Sequence, residues 1–239
     1  MINNVVDHSE SKDLIVQITR NAKRIEIIII DHGVGIFEKI RRNYNYEDPR
    51  DSILELSKGK LTTDPERHTG EGVFFTSRMF QDFIMRSGEL AYVRSKDDDE
   101  WLIEVWSGKN FQGTAVTMKI DNDTSYSDVD IFRKYEDDEQ RFTKTHVPVT
   151  LARYGDEQLV SRSQARRVLT RFNKFSEVIL DFHNVERIGH AFADEIFRVF
   201  KKEHPEVDIV PINMTPAVSE IINRVSANGS VTQVNEQNA

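Results

Sequence analysis

The segment Asp31–Gly35, Asp-His-Gly-Val-Gly, follows an uninterrupted isoleucine run at residues 27–30 and constrains the fold more than any other stretch. Consecutive β-branched residues favour a buried strand. The acid that ends this strand can accept a hydrogen bond from a buried amine, such as an adenine amino group. Glycines at positions 33 and 35 let the main chain turn sharply and approach a ligand closely. An ordinary strand end with a glycine turn explains the same pattern, so both interpretations stay open for the motif alone.

Composition narrows the classes of protein to which the chain can belong. Its 239 residues are 38% apolar and 30% charged, enough for one large or two small folded domains. A net charge of −8 argues against a broad nucleic-acid-binding surface. The absence of cysteine excludes disulfides, thiolate metal sites and a cysteine nucleophile. No apolar run approaches the roughly 20 residues of a membrane span, and no signal peptide is visible, so we expect a cytoplasmic protein.

The hydrophobic pattern of the first half predicts helices and strands in mixed order, as in α+β proteins. Strands are predicted at residues 13–20, 24–30, 90–95, 101–106 and 114–120. Helices are predicted near the N-terminus and at residues 36–41 and 51–58. A longer helix is predicted from residue 72 to about residue 86, because its apolar residues recur with helical spacing.

A second glycine pair, Gly70 and Gly72, stands at the start of this longer helix. The first N–H groups of a helix have no partner within it, and the helix dipole favours negative charge, so this end can bind a phosphate. A polar loop at residues 59–71 leads into the pair and has the length of many functional loops. A flexible helix start behind a surface loop is the alternative explanation.

The composition changes after residue 121, where an acidic stretch marks the expected domain boundary. Strands then alternate with helices, which is typical of a small α/β layer. Strands are predicted at 147–154, 177–182 and 207–212, and helices at 191–202, at 216–225 and after a cap at Ser161 or Ser163. We therefore expect domains at residues 1–121 and 147–228, a linker at 122–146 and a polar tail at 229–239.

The motifs of the first region occur in the order of a known superfamily. An asparagine-bearing helix, the Asp-x-Gly-x-Gly turn, the Gly-x-Gly helix and a late strand headed by Gly113-Thr114 follow one another. This order resembles the ATP-binding domain of the GHKL superfamily, which includes histidine kinases, gyrase-type ATPases and anti-sigma factor kinases. The resemblance covers roughly residues 1–120. It implies a Bergerat-type α/β sandwich with a mixed sheet, and ATP with Mg²⁺ as ligands.

The resemblance assigns roles to seven residues, which are Asn4, Asp31, Gly33, Gly35, Gly70, Gly72 and Thr114. Asn4 resembles the N-box asparagine that holds the Mg²⁺ between the phosphates. Asp31 resembles the aspartate that accepts a hydrogen bond from the adenine amine. The first glycine pair corresponds to residues that turn around the base, and the second to residues whose backbone faces the phosphates. Thr114 resembles the threonine whose hydroxyl joins the network beside adenine.

Residues 36–69 correspond to the lid that covers ATP in that superfamily. In its enzymatic members a glutamate about one turn before the asparagine acts as general base, and this position would lie before Met1. We therefore interpret the first region as incomplete at its N-terminus. An upstream start would restore the missing helix and strand and could add a domain such as a winged helix that contacts nucleic acid. Candidates for reaching phosphate from the lid, unless they are solvated loop charges, are Lys58, Lys60, Arg67 and His68.

The second region resembles the STAS-like domains that are joined to such ATPases. Residues 178–194 match the strand, loop and helix that carry the phosphorylation switch of anti-anti-sigma proteins. In those proteins a serine begins the helix, whereas Gly189 and His190 occupy this place here and offer no hydroxyl. A serine switch is therefore not expected. His190 is either a phosphate acceptor or a structural residue, and the structural role is the commoner one for a lone histidine.

Together these resemblances imply an ATP-binding regulatory protein in which nucleotide controls a signalling switch. The expected partners are adenine nucleotide and a protein, either the STAS-like domain of the same chain or an outside protein, and no membrane. Two alternatives stay open. One is an active protein kinase or ATPase of the anti-sigma factor kinase type, and the other is a transcription-linked adaptor without nucleotide turnover.

Overall fold

The computed structural model describes residues 1–95, 100–104, 111–125 and 127–231. The chain forms two compact units, Met1–Tyr135 and Glu136–Ala239. Strands pair antiparallel in the first unit and parallel in the second, and helices accompany both sheets. The predicted α+β class is confirmed. Within the described ranges, every helix is too short or too polar to span a bilayer.

The first unit contains five helices and six strands among its described residues. The helices are α1 (Ile2–His8), α2 (Ile36–Tyr44), α3 (Pro49–Lys58), α4 (Gly72–Met79) and α5 (Asp128–Tyr135). The strands are β1 (Leu14–Arg20), β2 (Arg24–Asp31), β3 (Asp82–Gly88), β4 (Leu90–Arg94), β5 (Glu100–Glu104) and β6 (Phe111–Asp121). They form one sheet in the order β1-β2-β6-β3-β4-β5.

The helix predicted from residue 72 to about 86 is wrong in its second half. α4 ends at Met79, and the chain continues as strand β3. Burial alternates along β3, where Phe83 and Met85 are completely buried. The strand pairs with β4 on one side and with β6 on the other. Pairing along both edges therefore overrides the helical spacing of its apolar residues.

The acidic stretch predicted as a linker contains the helix α5. Its Tyr135 ring lies 4.9 Å from the ring of Phe74, and its Phe132 ring lies 4.5 Å from that of Phe75. These contacts place α5 against α4 in the first unit. Two predicted segments lie partly outside the described residues, namely the end of the strand at 101–106 and most of the tail at 229–239.

The second unit is built on a three-stranded parallel sheet. Its strands β7 (Lys144–Pro148), β8 (Glu177–Asp181) and β9 (Asp208–Ile212) lie in that order. Its helices are α6 (Arg162–Leu169), α7 (His190–Asp194), α8 (Lys201–Glu203) and α9 (Pro216–Val231), with a π-helical turn at Glu195–Phe200 between α7 and α8. Of the two serines predicted as possible caps, Ser161 caps α6, and it forms a capping box with Gln164.

The strand predicted at residues 147–154 is wrong after its first two residues. β7 ends at Pro148, and a 3₁₀ turn follows at Val149–Ala152. Proline has no N–H to donate to a ladder, so the strand ends at Pro148 although apolar residues continue beyond it. Val149 and Leu151 are buried in the turn, which explains why the sequence pattern does not distinguish the two structures.

Candidate functional site

A cavity of about 800 Å³ lies in the first unit and is lined by residues of α1, β2, α2, α4, β6 and the loop after α3. Six of the seven residues assigned to nucleotide binding by resemblance line this cavity. They are Asn4, Asp31, Gly35, Gly70, Gly72 and Thr114. The fold thus gathers residues from six elements or turns of the first unit around one space. Gly33 does not line the cavity and instead packs against the backbone of Ser9 at the end of α1.

Asp31 ends β2 and is buried, with 2% of its surface exposed. In the sheet it lies opposite Thr114 of β6. Its Oδ1 atom accepts a hydrogen bond from the N–H of Gly33 at 2.9 Å and faces the N–H of Thr114 at 3.3 Å. Among the described residues, no donor binds its other oxygen, Oδ2. Because Asp31 lines the cavity, Oδ2 is an acceptor for a ligand donor.

Gly33 brings the turn after Asp31 against the end of α1. A Cβ atom at Gly33 would lie 1.8 Å from the backbone oxygen of Ser9. The next residue, Val34, donates its N–H to the same oxygen at 2.9 Å. Gly33 therefore joins the turn to α1 rather than facing the cavity. This contact sets the position of the Asn4 helix relative to Asp31.

Gly35 and Gly113 form a close backbone crossing beside the cavity. Gly35 has a φ of +80° and Gly113 a φ of +97°, both in the region that favours glycine. A Cβ at Gly113 would lie 2.0 Å from the backbone oxygen of Asp31. Immediately after the crossing, the hydroxyl of Thr114 accepts a hydrogen bond from the N–H of Ile36 at 3.0 Å. Thr114 thus connects β6 to the start of α2.

The second glycine pair stands where the loop after α3 meets α4. Gly70 has a φ of +76°, and its carbonyl accepts a hydrogen bond from the N–H of Leu61 at 3.3 Å. Gly72 is the first residue of α4, and a Cβ there would meet nothing within 4 Å. Glu71, the N-cap residue, makes no side-chain capping hydrogen bond. The start of α4 thus offers the uncapped N–H groups that an anion can bind.

Asn4 lies on α1 and borders the cavity. Its amide nitrogen makes one weak contact, 3.9 Å from the sulfur of Met1. Within the described ranges, no group of three or more histidine or acidic side chains is placed to hold a metal ion. Mg²⁺ usually binds one or two protein oxygens together with substrate phosphates and water. The amide oxygen of Asn4 is one protein oxygen at the wall of the cavity, so phosphate and water would have to supply the other ligands.

The four basic residues predicted to reach phosphate have different surroundings. Arg67 and His68 line the cavity, whereas Lys60 does not. The prediction for Lys58 is wrong, because its side chain is completely buried and pairs with Glu55 one turn earlier on α3. Lys39, which the sequence did not single out, also lines the cavity. Its only sequence signal is its position four residues after the second glycine of the turn.

Histidines connect the loop after α3 to the helix α1. The rings of His8 and His68 meet edge to face with their centroids 4.9 Å apart. His68 Nε2 lies 3.3 Å from a carboxylate oxygen of Asp7, also on α1. Burial lowers the pKa of His8, as do the nearby His68 and Lys39, while Asp7 and Asp64 act in the opposite direction. The loop thus rests on the helix that carries Asn4.

The second unit contains a buried polar network at the carboxyl end of its sheet. Asp181 ends β8, and one of its oxygens lies 2.9 Å from His146 Nε2 on β7. The other oxygen accepts hydrogen bonds from the N–H of His183 and the amide of Asn213, each at 2.9 Å. Burial opposes ionisation of this acid, but the hydrogen bonds from His146, His183 and Asn213 outweigh it and lower the pKa of Asp181.

Replacing Asp181 by Ala is expected to lower the free energy of unfolding of the second unit by about 2 kcal/mol, because the buried His146 and two partly buried donors lose their acceptor. Hydrogen exchange measured by mass spectrometry should quicken in β8, while β2 of the first unit serves as internal control. Because the folded-state pKa is lowered, the contribution of Asp181 is present above about pH 4. It disappears as the pH falls through the lowered value. Unchanged exchange in β8 would contradict this role.

The loop that carries a phosphorylated serine in anti-anti-sigma proteins has a structural role here. Gly189 donates its N–H to the carbonyl of Leu159 at 2.8 Å. A Cβ at Gly189 would lie 2.6 Å from the Cα atom of Val160. His190 follows as the first residue of α7 and is exposed. The close approach to residues 159–160 explains why glycine precedes the helix.

Comparison with known families supports part of the sequence interpretation. The model of the family described as STAS-like domain of unknown function (DUF4325) matches residues 164–219. The matched segment runs from α6 into α9 and lies wholly in the second unit. The second unit therefore contains a STAS-like segment. No curated protein matches the chain.

Proposed function

We propose that the first unit binds ATP with Mg²⁺ and that the bound nucleotide controls a signalling switch. The observation that supports this most strongly is the incomplete hydrogen bonding of the Asp31 carboxylate. One of its oxygens is held by the backbone and the other accepts no hydrogen bond from the described residues. It borders the same cavity as Asn4 and the glycines at the start of α4. One space thus offers an acceptor for the base and backbone donors for the phosphates.

The base would be recognised by Asp31. The exocyclic amine of adenine donates to Oδ2, which is the free acceptor. Guanine carries a carbonyl oxygen at the equivalent position, so two acceptors would face each other in a buried place. An unpaired buried acceptor costs about 1–3 kcal/mol. ATP is therefore the preferred nucleotide in this proposal, and GTP is disfavoured.

The phosphates would lie at the start of α4, where the backbone is open at Gly72 and no side chain caps the helix. Arg67 adds positive charge around the cavity, which His68 and Lys39 also line. The amide oxygen of Asn4 would hold Mg²⁺ between the phosphates, with water completing its octahedral shell. Mg²⁺ in this position neutralises phosphate charge.

The switch would consist of residues 60–71, termed the 60–71 loop. This loop contacts α1 through His68 and meets α4 at Gly72. A ligand that lies between α1 and α4 would therefore contact the elements to which both ends of the loop are attached. Nucleotide binding is expected to favour one arrangement of the loop, as a γ-phosphate orders switch segments in other nucleotide-binding proteins. The protein partner that senses the loop is the STAS-like region of the same chain or an outside protein.

Calorimetry with the full chain tests the nucleotide proposal. We expect heat on adding ATP with Mg²⁺, weaker binding of GTP, and weaker binding of ATP when Mg²⁺ is removed. No binding of ATP or ADP to protein that is folded by circular dichroism would exclude the proposal and favour the adaptor without nucleotide. Phosphate release above the level of an Asp31→Asn variant would favour the kinase or ATPase alternative.

Nucleotide is also expected to protect the 60–71 loop from trypsin. Arg67 offers a cleavage site in this loop, and 75% of its side-chain surface is exposed. We expect ATP with Mg²⁺ to slow cleavage after Arg67 at least fivefold, because ordered loops enter a protease active site poorly. Cleavage after Lys23, in the exposed β1–β2 turn, provides the control within the same chain. Equal rates at Arg67 with and without nucleotide would refute a switch in this loop.

A further inference from the structure

The helix α1 has little contact of its own with the core. None of its seven residues is buried, and it lacks a side-chain cap at its N-terminus. Isolated helices shorter than about 12 residues are marginal in water, so contacts from outside must hold α1. Two backbone oxygens at its C-terminal end provide such contacts. Ser9 accepts from the N–H of Val34 at 2.9 Å, and His8 accepts from the side chain of Lys39.

Lys39 reaches this helix end from α2. Its Nζ atom donates to the backbone oxygen of His8 at 2.6 Å and to a carboxylate oxygen of Glu10 at 3.0 Å. The side chain is mostly buried, with 21% of its surface exposed, whereas Glu10 is 66% exposed. Unpaired carbonyls at a helix C-terminus and the dipole there favour a positive charge. Lys39 is therefore well placed to hold α1.

The position of α1 determines the distance between Asn4 and the rest of the cavity. Asn4 borders the cavity, but the only hydrogen bond of its side chain among the described residues is the weak contact with the sulfur of Met1. Its location thus depends on where the helix lies. Asp31 and Thr114, in contrast, are fixed by the sheet through the β2–β6 pairing. The Asp31 end of the cavity is thus held by the sheet, whereas the Asn4 end depends on the contacts that α1 makes with Val34 and Lys39.

We propose that Lys39 is a positioning residue that holds α1 so that Asn4 can meet the metal and phosphates of the nucleotide. The part of this inference that concerns ligand rests on the proposed function. The inference assigns different structural determinants to the base and to the metal-phosphate end of the ligand. The base depends on the sheet, and the metal-phosphate end depends on Lys39 through the helix.

The Lys39→Met variant tests the helix contact without nucleotide. The chain has no cysteine, so a nitroxide label at a Val6→Cys substitution reports on α1 alone, and Val6 is 72% exposed. We expect greater label mobility in the Lys39→Met background and a return toward the original spectrum with Lys39→Arg. A label at Val129→Cys on α5 is the control and should not change. An unchanged spectrum at position 6 would overturn the proposal whether or not ATP binds.

Ligand titrations with the same variants test the consequence for binding. Lys39→Met is expected to weaken ATP binding with Mg²⁺ about tenfold, while adenosine binding changes less than twofold. A general loss of structure would weaken both ligands equally and would overturn the positioning role. Glu10→Gln should change neither the ATP affinity nor the adenosine affinity, because an exposed ion pair contributes little. Lys12→Met, in the exposed segment after α1, is the matched lysine control.

Discussion

Replacing Asp31 by Asn is expected to weaken ATP binding about 100-fold without unfolding the protein. The amide oxygen of Asn can still accept from the N–H groups of Gly33 and Thr114, which now bind Oδ1. Its amide nitrogen replaces Oδ2 and presents a donor to the donor on adenine. Hydrogen bonds to charged groups contribute about 1.5–3 kcal/mol, and the opposed donors add to that loss. Calorimetry with ATP and Mg²⁺ measures the effect.

A matched control separates this effect from a change in net charge. Asp13→Asn removes the same charge from an exposed acid that bonds to Ser11 and His32 at the surface. We expect ATP affinity within twofold of the original protein for this variant. Thermal unfolding should give similar midpoints for all three proteins. If Asp31→Asn binds ATP as tightly as Asp13→Asn, the base does not contact Asp31 and the proposed orientation of the nucleotide is wrong.

The residues around Asp31 could be selected from the sequence because their signals are local. The isoleucine run, the acid and the spaced glycines lie together at residues 27–35, so a strand end and a sharp turn can be predicted there without knowing the rest of the fold. The prediction that Asn4 and Thr114 belong to the same site as Asp31 came from the order of motifs along the chain and not from a local pattern. The sequence shows Gly113 next to Thr114, but it does not show that Gly113 lies against the backbone of Asp31. That contact forms only because β2 pairs with β6.

Other features of the site depend on tertiary contacts that no local pattern contains. Lys39 bonds to the end of α1 because the turn at Gly33 brings α2 beside that helix. Lys58 carries the same type of charge, yet it is completely buried against Glu55 on α3. The sequence presents both as lysines near a glycine motif. Only their surroundings in the fold determine that one borders the cavity and the other does not.

The strand β3 shows the same limit for secondary structure. Its residues Phe83 and Met85 are apolar at alternate positions, but Ile84 lies between them, which hides the strand alternation and lets the stretch fit a helical spacing. The partners that decide the matter, β4 and β6, come later in the chain. In the second unit the alternation of strands and helices is regular. There the strands β8 and β9 and the cap of α6 agree with the sequence prediction.

Gly113→Ala is expected to destabilise the first unit by about 3 kcal/mol, because strain at positive φ and overpacking add together. The new Cβ would lie 2.0 Å from the backbone oxygen of Asp31 and 2.7 Å from the Cα of His32, atoms that cannot move without breaking the β2–β6 register. Hydrogen exchange of β2 and β6, measured by mass spectrometry across a urea series, therefore follows the free energy of unfolding of this unit, and β8 of the second unit is the control.

Gly72→Ala is the control that separates stability from binding. A Cβ at Gly72 meets nothing within 4 Å, and the residue begins a helix, where Ala is favoured over Gly by about 1 kcal/mol or less. Its free energy of unfolding should equal or slightly exceed that of the original protein. The same methyl group would nevertheless obstruct a phosphate at the start of α4 and reduce ATP affinity. Loss of stability in both variants would show that the second glycine pair supports the fold, and a stable Gly72→Ala protein with unchanged ATP affinity would place the phosphates elsewhere.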